Sequence, residues 1–141
     1  MRRARPEDLP AVLELLEQAA LPLQGVEQHL GHFLLEFDGE TLVGCAGLEV
    51  YGDTGLLRSV VVRPEYRSRG VAGRLVRALL EQARRQGLKS LSLLTTTAEG
   101  YFPRYGFARV GREQLPPALH ASEEFKGACP DSAVALHLTL G

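Results

Sequence analysis

An apolar run that breaks into a basic glycine turn and then into an amphipathic helix constrains this chain more than any other feature. Leu56-Leu57-Arg58-Ser59-Val60-Val61-Val62 reads as a strand and Arg67-Ser68-Arg69-Gly70-Val71-Ala72 as the turn. The stretch from Gly70 to about Gln86 reads as a helix, with Val71, Leu75, Leu79 and Ala83 on one face. The first N–H groups of a helix have no intrahelical partner and sit at the positive end of its dipole. A glycine lets backbone approach a phosphate, and flanking arginines add charge. The unit predicts a phosphate-bearing ligand held by Arg67, Ser68, Arg69, Gly70, Val71, Ala72 and Gly73. The plainer alternative is a solvated basic turn with Gly70 at a tight corner.

The elements around this unit predict an α/β domain with a sheet of mixed direction and helices on both faces. Arg2 to Arg5 reads as a short strand, followed by a helix from Pro6-Glu7-Asp8 with Leu9, Val12, Leu13, Leu16 and Ala20 on its apolar face and Pro22 as its stop. Val26 to Leu30 reads as a second short helix. Phe33–Phe37, Thr41–Tyr51 and Leu56–Val62 read as an antiparallel meander, with Asp38-Gly39 as a hairpin turn. The helix between Leu56–Val62 and a strand over Leu88–Thr95 makes that pair parallel. Ala98 to Tyr105 reads as a short helix, Phe107 to Gly111 as a strand, Gln114 to Asp131 as irregular with a helical turn or two, and Ala133 to Leu140 as the last strand. At 141 residues this is one domain by size, spanning 1–141.

A net charge of −1 creates no global field for nucleic acid. Arg63, Arg67, Arg69, Arg74 and Arg77 nevertheless crowd one segment, which suits one small polyphosphate better than a duplex. No apolar run is long enough to span a membrane and the start lacks an apolar leader, so a cytoplasmic location is the expectation. Cys45 and Cys129 lack ligand spacing and are read as reduced thiols. The four histidines form no zinc pattern, so no metal is expected.

Two familiar phosphate signatures are missing: Gly-x-x-x-x-Gly-Lys-Ser/Thr and Gly-x-Gly-x-x-Gly. What is present is Arg67-x-x-Gly70-x-Ala72, with Pro64 three residues ahead and Val60-Val61-Val62 before that. This resembles motif A of the GNAT acetyltransferases, and the element order resembles that family along nearly the whole chain. The resemblance implies the GNAT fold, with a mostly antiparallel sheet whose central parallel strand pair is splayed. It also implies acetyl-CoA as cosubstrate, its pyrophosphate on backbone N–H groups of residues 68–73. Main-chain groups of Val60 and Val62 would then pair with the pantetheine arm and the thioester. Arg74 or Arg77 could reach the ribose phosphate, or either could be solvated helix surface.

Thr95-Thr96-Thr97-Ala98-Glu99-Gly100-Tyr101-Phe102-Pro103-Arg104-Tyr105-Gly106-Phe107 resembles the family's second signature, Asn-x-x-Ala-x-x-Phe-Tyr-x-x-x-Gly-Phe. Thr95 replaces the asparagine, and the aromatic pair is reversed. In many members the tyrosine protonates the departing thiolate, and Phe102 has no proton to give. Tyr105, one turn along the helix face of Phe102, is the candidate substitute. Water or the amine's own proton are the alternatives.

Attack by a neutral amine needs a proton acceptor. Glu49 interrupts an apolar strand and is the candidate base, or else it marks the strand's solvent end. Arg58 and Ser59 interrupt the next strand, and with Thr95 they are expected on the substrate side. Arg58 either binds a substrate anion or pairs with Glu49 or Glu36. His120, Glu123 and Phe125 are candidate lining residues. Glu49-Val50-Tyr51-Gly52-Asp53, Leu57-Arg58-Ser59, Leu94-Thr95-Thr96-Thr97 and Cys129-Pro130-x-Ser132-Ala133 resemble a GNAT subgroup encoded with arsenic-resistance genes. That resemblance implies an acceptor of the glutamate-like, phosphinic or arsenical amino-acid kind.

The expected function is therefore acetyl-CoA-dependent N-acetylation of a small-molecule amine by direct transfer in a ternary complex. The partners are the amine and the donor, with no nucleic acid and no membrane; the oligomeric state is left open, a homodimer included. A non-catalytic acyl-CoA sensor and a protein N-terminal acetyltransferase are the alternatives.

Overall fold

The structure, a computed structural model, describes residues 1–140. Its centre is a seven-stranded sheet in the order β1-β2-β3-β4-β5-β7-β6. The strands are β1 (Arg2–Arg3), β2 (Phe33–Asp38), β3 (Thr41–Tyr51), β4 (Thr54–Val62), β5 (Ser90–Thr95), β6 (Ala108–Val110) and β7 (Val134–Thr139). All neighbours run antiparallel except β4 and β5. That one parallel step follows from the intervening helix α3 (Val71–Arg85), because a crossover returns the chain in the same direction.

The two long helices cover opposite faces. Helix α3 buries Val71, Leu75, Val76, Leu79, Leu80 and Ala83 against Leu34, Leu48, Leu57, Leu91 and Leu93. Helix α1 (Leu9–Gln18) buries Val12, Leu15 and Leu16 against Phe33, Leu35, Cys45 and Val61. Each fully buried leucine contributes roughly 1.5–3 kcal/mol relative to exposure, so these two stripes hold the layers together. A short helix α2 (Val26–His29) follows α1, and its loop reaches the sheet beside β4.

Several boundaries differ from the sequence expectation, each for a local reason. Helix α1 leaves its helical course at Ala20, with φ +56 and Leu21 N–H on the Leu16 carbonyl, so the stop precedes Pro22. Strand β4 begins at Thr54, because Gly52-Asp53 alone makes the turn and Thr54 pairs with Tyr51. Strand β5 begins at Ser90, because Leu88 N–H closes the end of α3 on the Ala83 carbonyl. The helix expected over Ala98–Tyr105 shrinks to a 3₁₀ turn, Phe102–Tyr105, since Pro103 has no N–H to extend a ladder backward. Residues 112–128 form three short turns: Arg112–Gln114, Pro117–Ala121 and a π turn, Glu124–Ala128. Among the described residues no helix is long and apolar enough to cross a membrane.

Candidate active site

The site begins where β4 and β5 part. They pair only from Thr54 opposite Ser90 to Leu56 opposite Ser92; beyond that, β5 continues against β7 alone. The β5-facing backbone edge of β4 is therefore unpaired from Leu57 onward. A bulge lies within this edge: Cys45 faces Val61 and Gly47 faces Arg58, so Ser59 and Val60 stand opposite the single residue Ala46. Ser59 takes φ +59, and such bulges bend a strand and re-aim its side chains. An unpaired edge offers amide donors and acceptors to a ligand that carries amides of its own.

This edge runs into the basic turn. Ser68 (φ +66) and Gly70 (φ +78) both take the left-handed conformation, and Gly70 caps α3. Such alternation turns successive N–H groups toward one point, an anion-binding concavity. The first intrahelical bond runs from Arg74 N–H to the Gly70 carbonyl, which leaves the N–H groups of Val71, Ala72 and Gly73 for a ligand.

Edge and turn line one cleft of about 980 Å³, closed on its far side by the end of β5 and by residues 97–105. Ser59, Val60, Val62, Arg67, Ser68, Gly70, Val71, Ala72 and Gly73 all line it, with Arg58, Thr95 and Tyr105. Arg69 does not; its guanidinium lies 5.0 Å over the Tyr66 ring. The charged side chains of the lining are Arg58, Arg67, Arg77 and Arg104, with no carboxylate among them. A separate depression beside Met1, Arg2 and Glu40 lies at the sheet edge and contains none of these groups.

Glu49 stands outside the lining and is fully buried. Its carboxylate accepts from Arg58 Nη1 at 2.6 Å and from the Tyr51 hydroxyl, with His29 Nε2 at 3.5 Å. Arg58 is equally buried. Nη1 also donates to the Gln24 carbonyl (2.7 Å), Nη2 to the Pro22 carbonyl (3.0 Å) and Nε to Ser59 Oγ (3.0 Å). A second carboxylate, Glu124, lies 3.4 Å from Nε. One guanidinium thus ties the α1–α2 loop, β3, β4 and the Glu124–Ala128 turn together. The pairing of Arg58 with Glu49, one of the sequence readings, is present in the structure.

Two carboxylates share this one cation, and burial pushes the Glu124 carboxyl up to about 7 despite Arg58. Burial and the Glu49 carboxylate likewise push the Tyr51 hydroxyl up. Glu124 was not singled out by the sequence, which pointed to its neighbour Glu123. Glu123 is half exposed and pairs with Lys126, while His120 stacks on Phe125; none of the three lines the cleft. The segment has no hydrophobic period from which the buried acid could be read.

On the other wall, Thr95 Oγ1 accepts from the Ala98 N–H at 2.9 Å and keeps its own proton to donate. Phe102 is buried against Phe107 and Tyr101. Tyr105 does not stand alone on the Phe102 face as expected. Tyr101 is itself αR, so Tyr105 follows it at i+4, and their hydroxyls meet at 2.5 Å. A Cβ placed on Gly73 would lie 3.6 Å from the Tyr105 hydroxyl, which therefore sits against the first turn of α3. Burial pushes that hydroxyl up to about 12. Neither cysteine lines the cleft: Cys45 is buried with its thiol donating to the Ser59 carbonyl, and burial pushes it up to about 12.

An unpaired central strand edge, a splayed parallel pair and an arginine-flanked helix start meet in this one cleft. A family model described as the acetyltransferase (GNAT) family matches residues 2–111. The chain belongs to that family. An amino-acid acetyltransferase of Azotobacter vinelandii is 35% identical over 128 residues, 84% of this chain and 29% of that relative. The chain thus spans under a third of the length of the curated relatives it matches. N-acetylglutamate synthase from Neisseria gonorrhoeae, complexed with coenzyme A and N-acetyl-glutamate, superposes over 99% of this chain and 34% of its own, with TM-score 0.82 and 27% identity. Rv2747 from Mycobacterium tuberculosis, solved with CoA, matches 99% and 98% of the two chains with TM-score 0.80 and 24% identity, a likeness of fold.

Proposed function

We propose that this acetyltransferase moves the acetyl group of acetyl-CoA directly to the amino group of an amino acid or a close amino-acid analogue. The observation that carries this is the continuity of the unpaired β4 edge with the Ser68–Gly73 turn in one cleft. The turn takes the pyrophosphate on the N–H groups of Val71, Ala72 and Gly73 with Arg67 beside it. The amide-bearing arm pairs with main-chain groups of Val60 and Val62. This leaves the thioester near the bulge at Ser59. The amino-acid acceptor is supported by the names of the relatives that match most of this chain.

Transfer balances without a covalent enzyme intermediate. The neutral amine nitrogen attacks the thioester carbonyl carbon, and the N–C bond forms as negative charge moves onto oxygen. Unpaired N–H groups of β4 stabilise that oxyanion. The C–S bond then breaks and the thiolate leaves, while the amine proton passes to solvent or to the thiolate. A thiolate is a fair leaving group near neutrality, so Phe102 in place of a proton donor does not stop the reaction. Glu49 acts as base only through an intermediary, Tyr51 or a water, because Arg58 and Tyr51 occupy its carboxylate. Its direct effect is to hold Arg58, and so Ser59 and the Pro22–Gln24 loop, in place. Thr95 and Ser59 offer hydroxyls to the acceptor.

The test is release of free CoA thiol from acetyl-CoA in a panel of amino acids, glutamate-like phosphinic and arsenical amino acids, simple amines and N-terminal peptides. Turnover with an amino acid or such an analogue is expected. Turnover confined to peptides, or binding of acetyl-CoA with no turnover across the panel, overturns the reading.

A further inference from the structure

Five arginines have an acid partner: Arg2 pairs with Asp8, Arg58 with Glu49, Arg74 with Glu36, Arg85 with Glu81 and Arg109 with Glu99. Arg67, Arg77 and Arg104 differ. They line the cleft, and among the described residues no carboxylate pairs with them. Arg67 belongs to the turn at the start of α3. Arg77 and Arg104 flank something else.

Arg77 lies seven residues beyond Gly70, about 10 Å along the α3 axis. Helical side chains lean back toward the N-terminus, and Arg77 does so: its Nη1 lies 2.9 Å from where a Cβ on Gly73 would stand. The lack of a side chain at Gly73 thus lets the guanidinium settle against the first turn of α3. The same guanidinium is 5.8 Å from the Tyr105 ring centre, and that of Arg104 is 4.2 Å from the Tyr101 ring centre. Arg104 uses only Nε, on the Tyr101 carbonyl at 2.8 Å, so its terminal nitrogens stay available. The two rings on which these cations lie are joined by the Tyr101–Tyr105 hydroxyl pair. Two hydroxyls carry two protons and their mutual bond uses one, so the pair retains a donor whichever way it points.

We propose that Arg77, Arg104 and the Tyr101–Tyr105 hydroxyl pair form a second phosphate subsite, which takes the 3′-phosphate of the coenzyme A ribose. The inference rests on the acetyl-CoA reading of the cleft and adds the part of the ligand that the α3 turn does not reach. A phosphate monoester carries about −1.5 to −2 charge at neutral pH and three acceptor oxygens, a match for two guanidinium groups and one hydroxyl donor. The pyrophosphate and the 3′-phosphate hang from one ribose, so their subsites must be near neighbours, as the first and second turns of α3 are. Burial keeps the Tyr105 hydroxyl protonated across the neutral range, as a donor must be. Arg74, the other candidate from sequence, has its guanidinium engaged with Glu36 and with the Arg69 carbonyl.

The test compares CoA with 3′-dephospho-CoA by calorimetric titration at fixed ionic strength. The unmodified protein is expected to bind CoA at least about tenfold more tightly, the scale of one charge-assisted contact. The Arg77→Ala/Arg104→Ala double variant should bring that ratio near one while leaving 3′-dephospho-CoA affinity unchanged. Arg67→Ala should weaken both ligands equally. Both arginines of the double variant are exposed, and an unchanged circular dichroism spectrum and melting temperature confirm that it folds. A ratio near one in the unmodified protein, or a ratio that survives the double substitution, overturns the subsite. If neither ligand binds, the donor reading itself fails. Tyr105→Phe should lower CoA affinity alone; a fall in kcat with both affinities intact would instead assign that hydroxyl to proton transfer and remove it from the subsite.

Discussion

The two walls of the cleft are built on opposite principles. The donor wall is made of backbone: an unpaired strand edge, left-handed residues at Ser68 and Gly70, and helix N–H groups with no partner. Its arginines lack counter-ions and face solvent. The acceptor wall is backed by side chains: Arg58 lines the cleft, and behind it Glu49, Glu124 and Tyr51 are buried or half-buried and bonded to it or to one another. The first wall is electrostatically incomplete until an anion arrives. The second is complete already, so its charges serve geometry before they serve substrate. A variant on the donor wall should therefore change binding with little change in stability, and a variant on the acceptor wall the reverse.

The sharpest break of that contrast is Arg58→Met. It strands two buried carboxylates and releases the Pro22 and Gln24 carbonyls, so a loss of roughly 3–5 kcal/mol is expected in chemical denaturation. A loss under about 1 kcal/mol, the scale of an exposed ion pair, would mean that the network is solvated and the contrast false.

Glu124→Gln comes next. Burial raises the folded-state carboxyl from 4.5 to about 7. A raised value means that its contribution is fully present below pH 4.5 and lost as pH rises through about 7. The unmodified protein should thus lose stability over that window, by at most about 3 kcal/mol, and the glutamine variant should lose less. Parallel stability–pH curves for the two would remove Glu124 from the network.

On the donor wall, Arg67→Ala should weaken CoA binding about tenfold while shifting unfolding free energy by no more than about 0.5 kcal/mol. Gly70→Ala is the exception on this wall, because the glycine also sets the backbone of the fold. It forces an L-residue to φ +78, which costs about 1–2 kcal/mol by denaturation. The same change crowds the phosphate approach, so it should also weaken CoA; loss of stability alone would show that the turn is only a corner.

The donor wall was legible in the chain because its information is local. The strand Leu56–Val62, the Arg67–Ala72 turn and the α3 face are contiguous, and each follows from period, turn chemistry or helix geometry. The parallel β4–β5 step followed from the helix between the strands, whereas the splay was implied only by the family resemblance. The acceptor wall was less legible. Arg58 and Glu49 stood out as charges in apolar strands, but what they meet comes from Pro22, Gln24 and Glu124, distant in sequence. Glu124 sits in a segment without period, beside a more exposed glutamate that looked equivalent. The Tyr101–Tyr105 pairing was missed although its i, i+4 spacing was visible, because Tyr105 was compared with Phe102 alone.

What the amino-acid sequence determined by itself is the order of elements, the direction of each strand and the basic glycine turn at the start of α3. These depend on spacing along the chain and on which backbone groups a turn leaves unpaired. Only the tertiary structure decided that Arg58 is a tie between four segments, that Glu49 stands behind the cleft, and that Arg77 and Arg104 converge on one tyrosine pair. Those facts depend on which distant side chains share a low-dielectric volume, and burial, not position in the chain, sets the strength and the protonation of charges placed there.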